Sequence, residues 1–279
     1  MAGLAEGERL PEARTRLRAR PAAVVATVLA AALVAWLVSA ARMEGMDAGP
    51  GTDLGGLGWY LGIWVTMMAA MMLPSAAPVA TLYARTVARA RRRPAFALLS
   101  TWLFLGGYLL VWSAFGLAVY ALYRAVVAVE GGVLAWDRAG PWVAGGAIAA
   151  AGLYQLSPLK SLCLRHCRSP LHFLLHGWRD GGLGALRMGT THGAYCVGCC
   201  VGLMVLLVAV GVMSLFWMGV VAAVVFAEKV LPRGDLVGRV LAMALVALGI
   251  WLAVAPGNVP GITDPGSARG MNEMEEMGR

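Results

Sequence analysis

Seven apolar runs, separated by short polar or basic segments, dominate the sequence. They cover approximately residues 22–41, 57–83, 96–127, 141–156, 193–212, 215–227 and 236–255. A helix needs about 20 mainly apolar residues to cross the hydrocarbon core of a bilayer. The pattern therefore predicts an all-α, polytopic transmembrane helical bundle of about seven spans, or six if the fifth and sixth runs form one helix.

The basic residues predict how this bundle is oriented. Lysine and arginine concentrate before residue 22, in the 85–93 loop, in the 158–190 segment and in the 228–235 turn. Short loops rich in these residues stay on the cytoplasmic side. We therefore expect a basic cytoplasmic N-terminal segment at 1–21 and a transmembrane domain at 22–255 that contains a cytoplasmic Cys/His segment at 158–192. A flexible tail at 256–279, rich in methionine and glutamate, is expected outside.

Composition supports a membrane protein and excludes several other classes. The chain is 59% hydrophobic and 14% charged, whereas soluble domains carry about 25% charged residues. The net charge of +8 is explained by cytoplasmic loops and does not indicate nucleic-acid binding. No Gly-x-Ser-x-Gly, His-Glu-x-x-His or phosphate-loop motif occurs, so we expect no hydrolase. We expect no other enzyme either, apart from thiol redox activity, which the sequence leaves open.

All five cysteines and all four histidines lie between Cys163 and Cys200. Residues at i, i+3, i+4, i+7 and i+8 share one face of a helix. Two such stripes occur on either side of a glycine-rich turn predicted between short helices. The first comprises Cys163, His166 and Cys167, and the second comprises His192, Cys196, Cys199 and Cys200. His172 and His176 follow Pro170 and belong to neither stripe.

Thiolates and imidazoles in these stripes point to a soft metal ion. Such donors bind Zn²⁺ tetrahedrally, and thiolate with thioether suits Cu(I). Packing explains any one of these residues better than metal binding does. It does not explain why all nine cysteines and histidines lie in one segment. The Cys-x-x-Cys spacing of Cys196 and Cys199 is also typical of thiol redox proteins. The βαβ context of such proteins is missing.

Methionines give a weaker second signal. Four of them form i, i+4 pairs in the second apolar run, Met67 with Met71 and Met68 with Met72. Others lie in the first outer loop and in the tail. Thioethers bind Cu(I), although buried methionine is more often a packing residue. Glu228 and Lys229 are expected to pair or to extend toward the cytoplasmic edge rather than to act in the site.

Four strings together resemble a bacterial family of predicted metal-binding integral membrane proteins. They are WVTMMAAMMLPSAAP (64–78), GLYQLSPLKSLCLRHCRSPL (152–171), GALRMGTTHGAYCVGCCVGLM (184–204) and AEKVLPRGD (227–235). Some members of that family look like copper chaperones that load a polyphenol-oxidase-type enzyme. The resemblance spans roughly residues 57–250. It implies a metal site at Cys163, His166, Cys167, His192, Cys196, Cys199 and Cys200, with Met67, Met68, Met71 and Met72 as weaker candidates.

The resulting hypothesis is a multi-pass protein of the bacterial inner membrane that carries Cu(I) by Cys/His/Met ligand exchange. Its expected partners are the lipid bilayer, the metal ion and a copper-dependent oxidase or another copper carrier. Two alternatives remain open at this point. One is a structural zinc site that ties the cytoplasmic segment to the fifth helix, and the other is a membrane thiol oxidoreductase that uses Cys196 and Cys199.

Overall fold

The computed structural model describes residues 4–43, 54–91, 94–129, 140–210 and 214–255. Nine helices and no strands occur in this part of the chain, so the prediction of an all-α bundle is confirmed. The helices are α1 (Leu4–Met43), α2 (Leu57–Arg91), α3 (Pro94–Val129), α4 (Gly140–Gln155), α5 (Pro158–Arg168), α6 (Pro170–Gly177), α7 (Gly181–Val210), α8 (Leu215–Val230) and α9 (Gly234–Val254).

Five of these helices are long and apolar enough to cross a membrane. The segments are Ala22–Met43, Leu57–Ala90, Phe96–Val126, Gly181–Ala209 and Gly234–Val254. Helices α4 and α8 have 16 residues each, which corresponds to about 24 Å at 1.5 Å per residue and falls short of a hydrocarbon core about 30 Å thick. A total of seven spans therefore stays a prediction. Ser214 is extended just before α8, so α7 and α8 are not one continuous helix.

Close helix packing depends on glycines that let two backbones touch. A Cβ on Gly107 of α3 would lie 2.2 Å from the carbonyl oxygen of Leu186, and a Cβ on Gly189 of α7 would lie 1.9 Å from that of Phe104. Helices α4 and α9 meet in the same way at Gly145 and Gly249. Small residues are the usual means by which helices associate in a membrane, since lipid supplies no hydrophobic force between them.

The start of α7 corrects the sequence analysis. The fifth span was expected at 193–212, after a glycine-rich turn, but the helix begins at Gly181 and ends at Val210. Gly181, the first residue of the helix, has a φ of +81°. A Cβ on Gly184 would meet the Arg179 carbonyl just before the helix, and one on Gly182 would meet the Leu103 side chain of α3. The glycines therefore lie in the first turns of α7 despite their weak helix propensity.

Two clusters of buried side chains form the interior. One cluster combines α1, α2, α3 and α7 near Tyr83 and Phe104. The other, larger cluster joins α2, α3, α5, α7, α8 and α9, and it contains all five cysteines and the four methionines of α2. The residues with soft-metal chemistry thus share one continuous core.

Candidate metal centre

Three thiols on α7 form the centre of the candidate site. Cys196, Cys199 and Cys200 follow i, i+3 and i+4, so the helix places them on one face. All three are buried, with at most 1% of each exposed, and their sulfur atoms lie within 4.8 Å of one another. The Sγ atoms of Cys199 and Cys200 are 3.5 Å apart. The predicted span at 193–212 would place them in the first turns of the helix, but they lie in the middle of α7, because α7 begins at Gly181.

A fourth thiol comes from α5. This short helix begins after Ser157, whose hydroxyl accepts a hydrogen bond from the Lys160 backbone N–H, with Pro158 in the first turn. Its apolar face packs on α7 and places Cys167 Sγ 3.8 Å from Cys199 Sγ. Two stripes far apart in sequence therefore meet at Cys167 and Cys199.

The fifth thiol, Cys163, lies beside the cluster. Its sulfur occupies space next to Gly198, where an added Cβ would lie 2.7 Å away. Burial raises the pKa of the Cys163 thiol, because an apolar environment disfavours the thiolate. Cys163 and Cys167 are 8% and 9% exposed, so α5 holds the two thiols nearest the protein surface.

The sulfur spacings fit one shared ion. Sulfurs bound at about 2.3 Å in trigonal or tetrahedral geometry lie roughly 3.8 to 4.0 Å apart. The observed separations of 3.5 Å and 3.8 Å are close to this range. All five cysteines are free thiols. The donor set is therefore suited to a soft ion such as Cu(I) or Zn²⁺.

Polar groups from three other helices surround Cys196. Its sulfur lies 2.9 Å from Tyr108 Oη of α3 and accepts a hydrogen bond of 2.9 Å from Lys229 Nζ of α8. The same ammonium lies 3.4 Å from Ser75 Oγ of α2. Lys229 therefore does not extend to a cytoplasmic edge, as the sequence analysis expected. It points inward to the thiols.

Glu228 also departs from expectation, because its partner is Lys160 of α5 rather than Lys229. Lys160 Nζ lies 2.6 Å from Glu228 Oε1, with both side chains at most 3% exposed, and also donates to Gln155 Oε1. Nearer the surface, Arg168 pairs with Asp235 at 2.9 Å. These contacts attach α5, and with it Cys163 and Cys167, to α8 and the start of α9.

The histidines occupy two different environments. His192 is buried one turn before Cys196, and its ring packs against Phe104, Tyr108 and Phe173. Its Nδ1 has no hydrogen-bond partner among the described residues. His192 is not part of the group whose ligand atoms lie within 4.8 Å of one another.

His166 is not part of that group either. Its ring stacks on Tyr195 with centroids 4.2 Å apart, and its Nδ1 is 2.9 Å from the Leu162 carbonyl oxygen. His172 meets the edge of that ring, whereas the side chain of His176 lies outside the described residues. The structure thus brings together the cysteines more closely than the imidazoles.

The four methionines of α2 are all buried in the core that contains the thiols. Met67, Met68, Met71 and Met72 are at most 2% exposed. Ser75, one turn after Met71 and Met72, donates to the Met72 carbonyl oxygen and lies next to Lys229. The buried core that contains the thiols, next to Lys229, therefore extends along α2 through these four methionines. The methionines of the tail, and Met46, lie outside the described residues.

Sequence reasoning missed two groups in contact with Cys196. Lys229 could have been recognised from the sequence, since it is one of only two lysines in the chain and adjoins an apolar run. Ionisable residues in such runs mark functional positions by default. Tyr108 carried no such signal, because its contact depends on how α3 packs against α7.

The chain matches a known protein family. The model of a family described as the copper chaperone PpoB2 matches residues 61–252. No curated protein and no solved structure matches the chain significantly.

Proposed function

The chain belongs to the PpoB2 copper chaperone family, and from that premise we propose that it is an integral membrane protein that binds Cu(I) at its thiol centre and transfers it to a partner protein. One observation supports this most directly. Cys196, Cys199 and Cys200 form a buried cluster, and Cys167 extends it toward the surface at 3.8 Å from Cys199.

Transfer would proceed by ligand exchange between these sulfurs. Copper held on α7 gains a bond to Cys167 while a bond to Cys199 breaks, and the ion stays Cu(I) throughout. The proton of the incoming thiol ends on the thiolate that leaves, so charge and protons balance. Cys163 and Cys167, which lie nearest the surface, would pass the ion on to the partner. His166 and His192 are proposed as auxiliary ligands.

Met67, Met68, Met71 and Met72 are proposed as thioether ligands deeper in the bilayer. They share the buried core of the thiols, and thioether with thiolate is a donor set that favours Cu(I). The five long apolar helices support residence in a membrane, which we propose to be the bacterial inner membrane. The partner would be a copper-dependent oxidase or another copper carrier, and the protein itself would perform no catalysis.

The test is the metal content of the detergent-purified full chain, produced in parallel with copper and with zinc. Wild type should retain copper, and the triple variant Cys196→Ser/Cys199→Ser/Cys200→Ser should lose it while remaining in the membrane. Cys163→Ser is the matched control, because its sulfur lies beside the cluster, and should retain more copper than the triple variant. A wild-type protein without copper, or a triple variant with full copper, would refute the proposal.

The same preparation separates the two alternatives. A structural zinc site predicts zinc in both preparations and loss of the folded protein in the triple variant. A thiol oxidoreductase predicts activity without metal through a mixed disulfide with a partner. The burial of the three α7 thiols speaks against this second alternative, since a partner thiol has to reach the sulfur that it attacks.

A further inference from the structure

We propose that Lys229 is the fixed positive charge of the thiol centre, and that it makes a site of one Cu(I) ion and two thiolates electrically neutral. This inference rests on the proposed function and deepens it. It explains part of the preference for Cu(I) by Lys229, a residue that does not itself bind the metal.

The position of Lys229 is determined by three helices. Its side chain leaves α8, and Nζ lies 2.9 Å from Cys196 Sγ on α7 and 3.4 Å from Ser75 Oγ on α2. Tyr108 of α3 lies on the same sulfur at 2.9 Å. An ammonium in this place donates a charge-assisted hydrogen bond to the sulfur, which is stronger than a bond between neutral groups.

No carboxylate forms an ion pair with this ammonium among the described residues. The neighbouring Glu228 bonds to Lys160, which also donates to Gln155. Asp235 pairs with Arg168. The charge of Lys229 is therefore directed to the thiol cluster, whereas the other lysine of the chain is used to attach α5.

A count of charges shows what this ammonium does when metal is bound. Thiolates, not thiols, bind metal. One Cu(I) ion with two thiolates carries −1, and Lys229 brings the sum to zero. Without Lys229, Cu(I) is neutral with a single thiolate only, whereas Zn²⁺ is neutral with two. The lysine thus raises by one the number of thiolates that a neutral site can hold.

Neutrality matters because the centre is buried. A charge that is left without a partner in an apolar interior is strongly unfavourable. Replacing Lys229 with leucine, which has no charge and no metal-binding atom, should therefore weaken Cu(I) binding. Zn²⁺ binding should change less, since without the lysine a neutral site still holds two thiolates on Zn²⁺ but only one on Cu(I). A residue that only supports the fold would affect both metals equally.

The experiment measures Cu(I) and Zn²⁺ affinities of the detergent-purified full chain by competition with chromophoric chelators under anaerobic, reducing conditions. Lys229→Leu should lower Cu(I) affinity by about 10- to 100-fold, the range for a lost interaction with a buried charged group. Its Zn²⁺ affinity should fall by a smaller factor. Lys229→Arg retains the charge and should retain the preference for Cu(I). Ser75→Ala, which removes only the uncharged neighbour, is the matched control and should resemble wild type.

Several results would overturn the assignment of Lys229 while leaving copper binding intact. These are unchanged Cu(I) affinity in Lys229→Leu, equal losses of both metals, and equal losses in the Leu and Arg variants. A wild-type chain that binds no copper would instead refute the proposed function, and the inference with it.

A measurement on wild type covers the case in which the neutral variant does not fold. X-ray absorption at the copper edge counts the thiolates around the ion, and the charge balance requires two. Three or four thiolates on copper in the wild-type protein would refute the role of Lys229, whatever the variants do.

Discussion

The buried ion pair between Lys160 and Glu228 offers a direct test of how α5 is held. Glu228→Gln removes the negative charge at nearly constant volume and leaves the Lys160 ammonium with only the Gln155 amide oxygen. The pair is 2.6 Å long and its side chains are at most 3% exposed. Breaking one half of a buried pair costs about 3–5 kcal/mol, because the remaining charge is left in the interior.

This loss should appear in thermal unfolding of the detergent-solubilised chain followed by intrinsic tryptophan fluorescence. At roughly 2–4 °C per kcal/mol for a chain of this size, Tm should fall by about 6–20 °C. The double variant Lys160→Met/Glu228→Gln should lose less than the sum of the two single variants, since no unpaired charge remains.

Asp235→Asn is the matched control for this effect. It removes the same type of charge from the Arg168–Asp235 pair at the surface, where the Asp235 side chain is 76% exposed. Exposed pairs contribute about 0–1 kcal/mol, so Tm should change by no more than about 4 °C. If Glu228→Gln lowers Tm no more than Asp235→Asn does, the buried pair does not hold α5 in place.

Three further substitutions test the packing, the thioethers and the protons of the site. Gly107→Ala should lower Tm in the same assay, because its Cβ would lie 2.2 Å from the Leu186 carbonyl oxygen. The control Gly106→Ala, whose Cβ would have nothing within 4 Å, should be neutral or slightly stabilising. Equal effects on Tm would contradict the close approach of α3 and α7. Met71→Leu/Met72→Leu should slow copper transfer to a chelator. The control Met243→Leu, at a residue that is 64% exposed, should leave the transfer rate unchanged. Equal transfer rates in wild type and both variants would assign the α2 methionines to packing alone. Copper affinity should fall as the pH is lowered, because thiols must lose protons to bind metal. Burial raises the pKa of Cys163, so the contribution of Cys163 to this pH dependence extends above the ordinary thiol range and should disappear in Cys163→Ser. If the plot of affinity against pH is the same in Cys163→Ser and wild type, Cys163 does not bind copper.

Much of the fold follows from the hydrophobic pattern, and its main error has a physical cause. The apolar runs predict α3, α4, α8 and α9 to within a few residues of their observed ends, and they predict the start of α2, which continues beyond residue 83 to Arg91. The start of α7 was misplaced because Gly181, Gly182 and Gly184 are typical of turns when only local propensity is considered. Packing against α3, a helix distant in sequence, is not visible in local propensity: Gly182 lies against Leu103, and Gly189, further along α7, lies against the Phe104 backbone.

The candidate site was predictable where helical spacing alone decides it. The i, i+3, i+4 arrangement of Cys196, Cys199 and Cys200 places their sulfurs together in any helix. The same spacing gave no information about side-chain direction, and His192 shares the stripe but packs among aromatic rings. The role of Lys229 was missed for a related reason. A basic residue next to an apolar run can extend outward or turn inward, and only the packing of α8 against α2 and α7 decides which.

If copper is transferred as proposed, the burial of the α7 thiols requires α5 to move as the ion leaves. Cys199 and Cys200 are at most 1% exposed, whereas Cys167 on α5 is 9% exposed. Since the Lys160–Glu228 pair attaches α5 to α8, weakening that pair should help α5 to separate from α7. We therefore expect Glu228→Gln to release Cu(I) to an excess of chelator faster than wild type, as measured by stopped-flow absorbance. Asp235→Asn should release it at the wild-type rate. If Glu228→Gln lowers Tm but leaves the release rate unchanged, copper leaves by a route that does not require movement of α5.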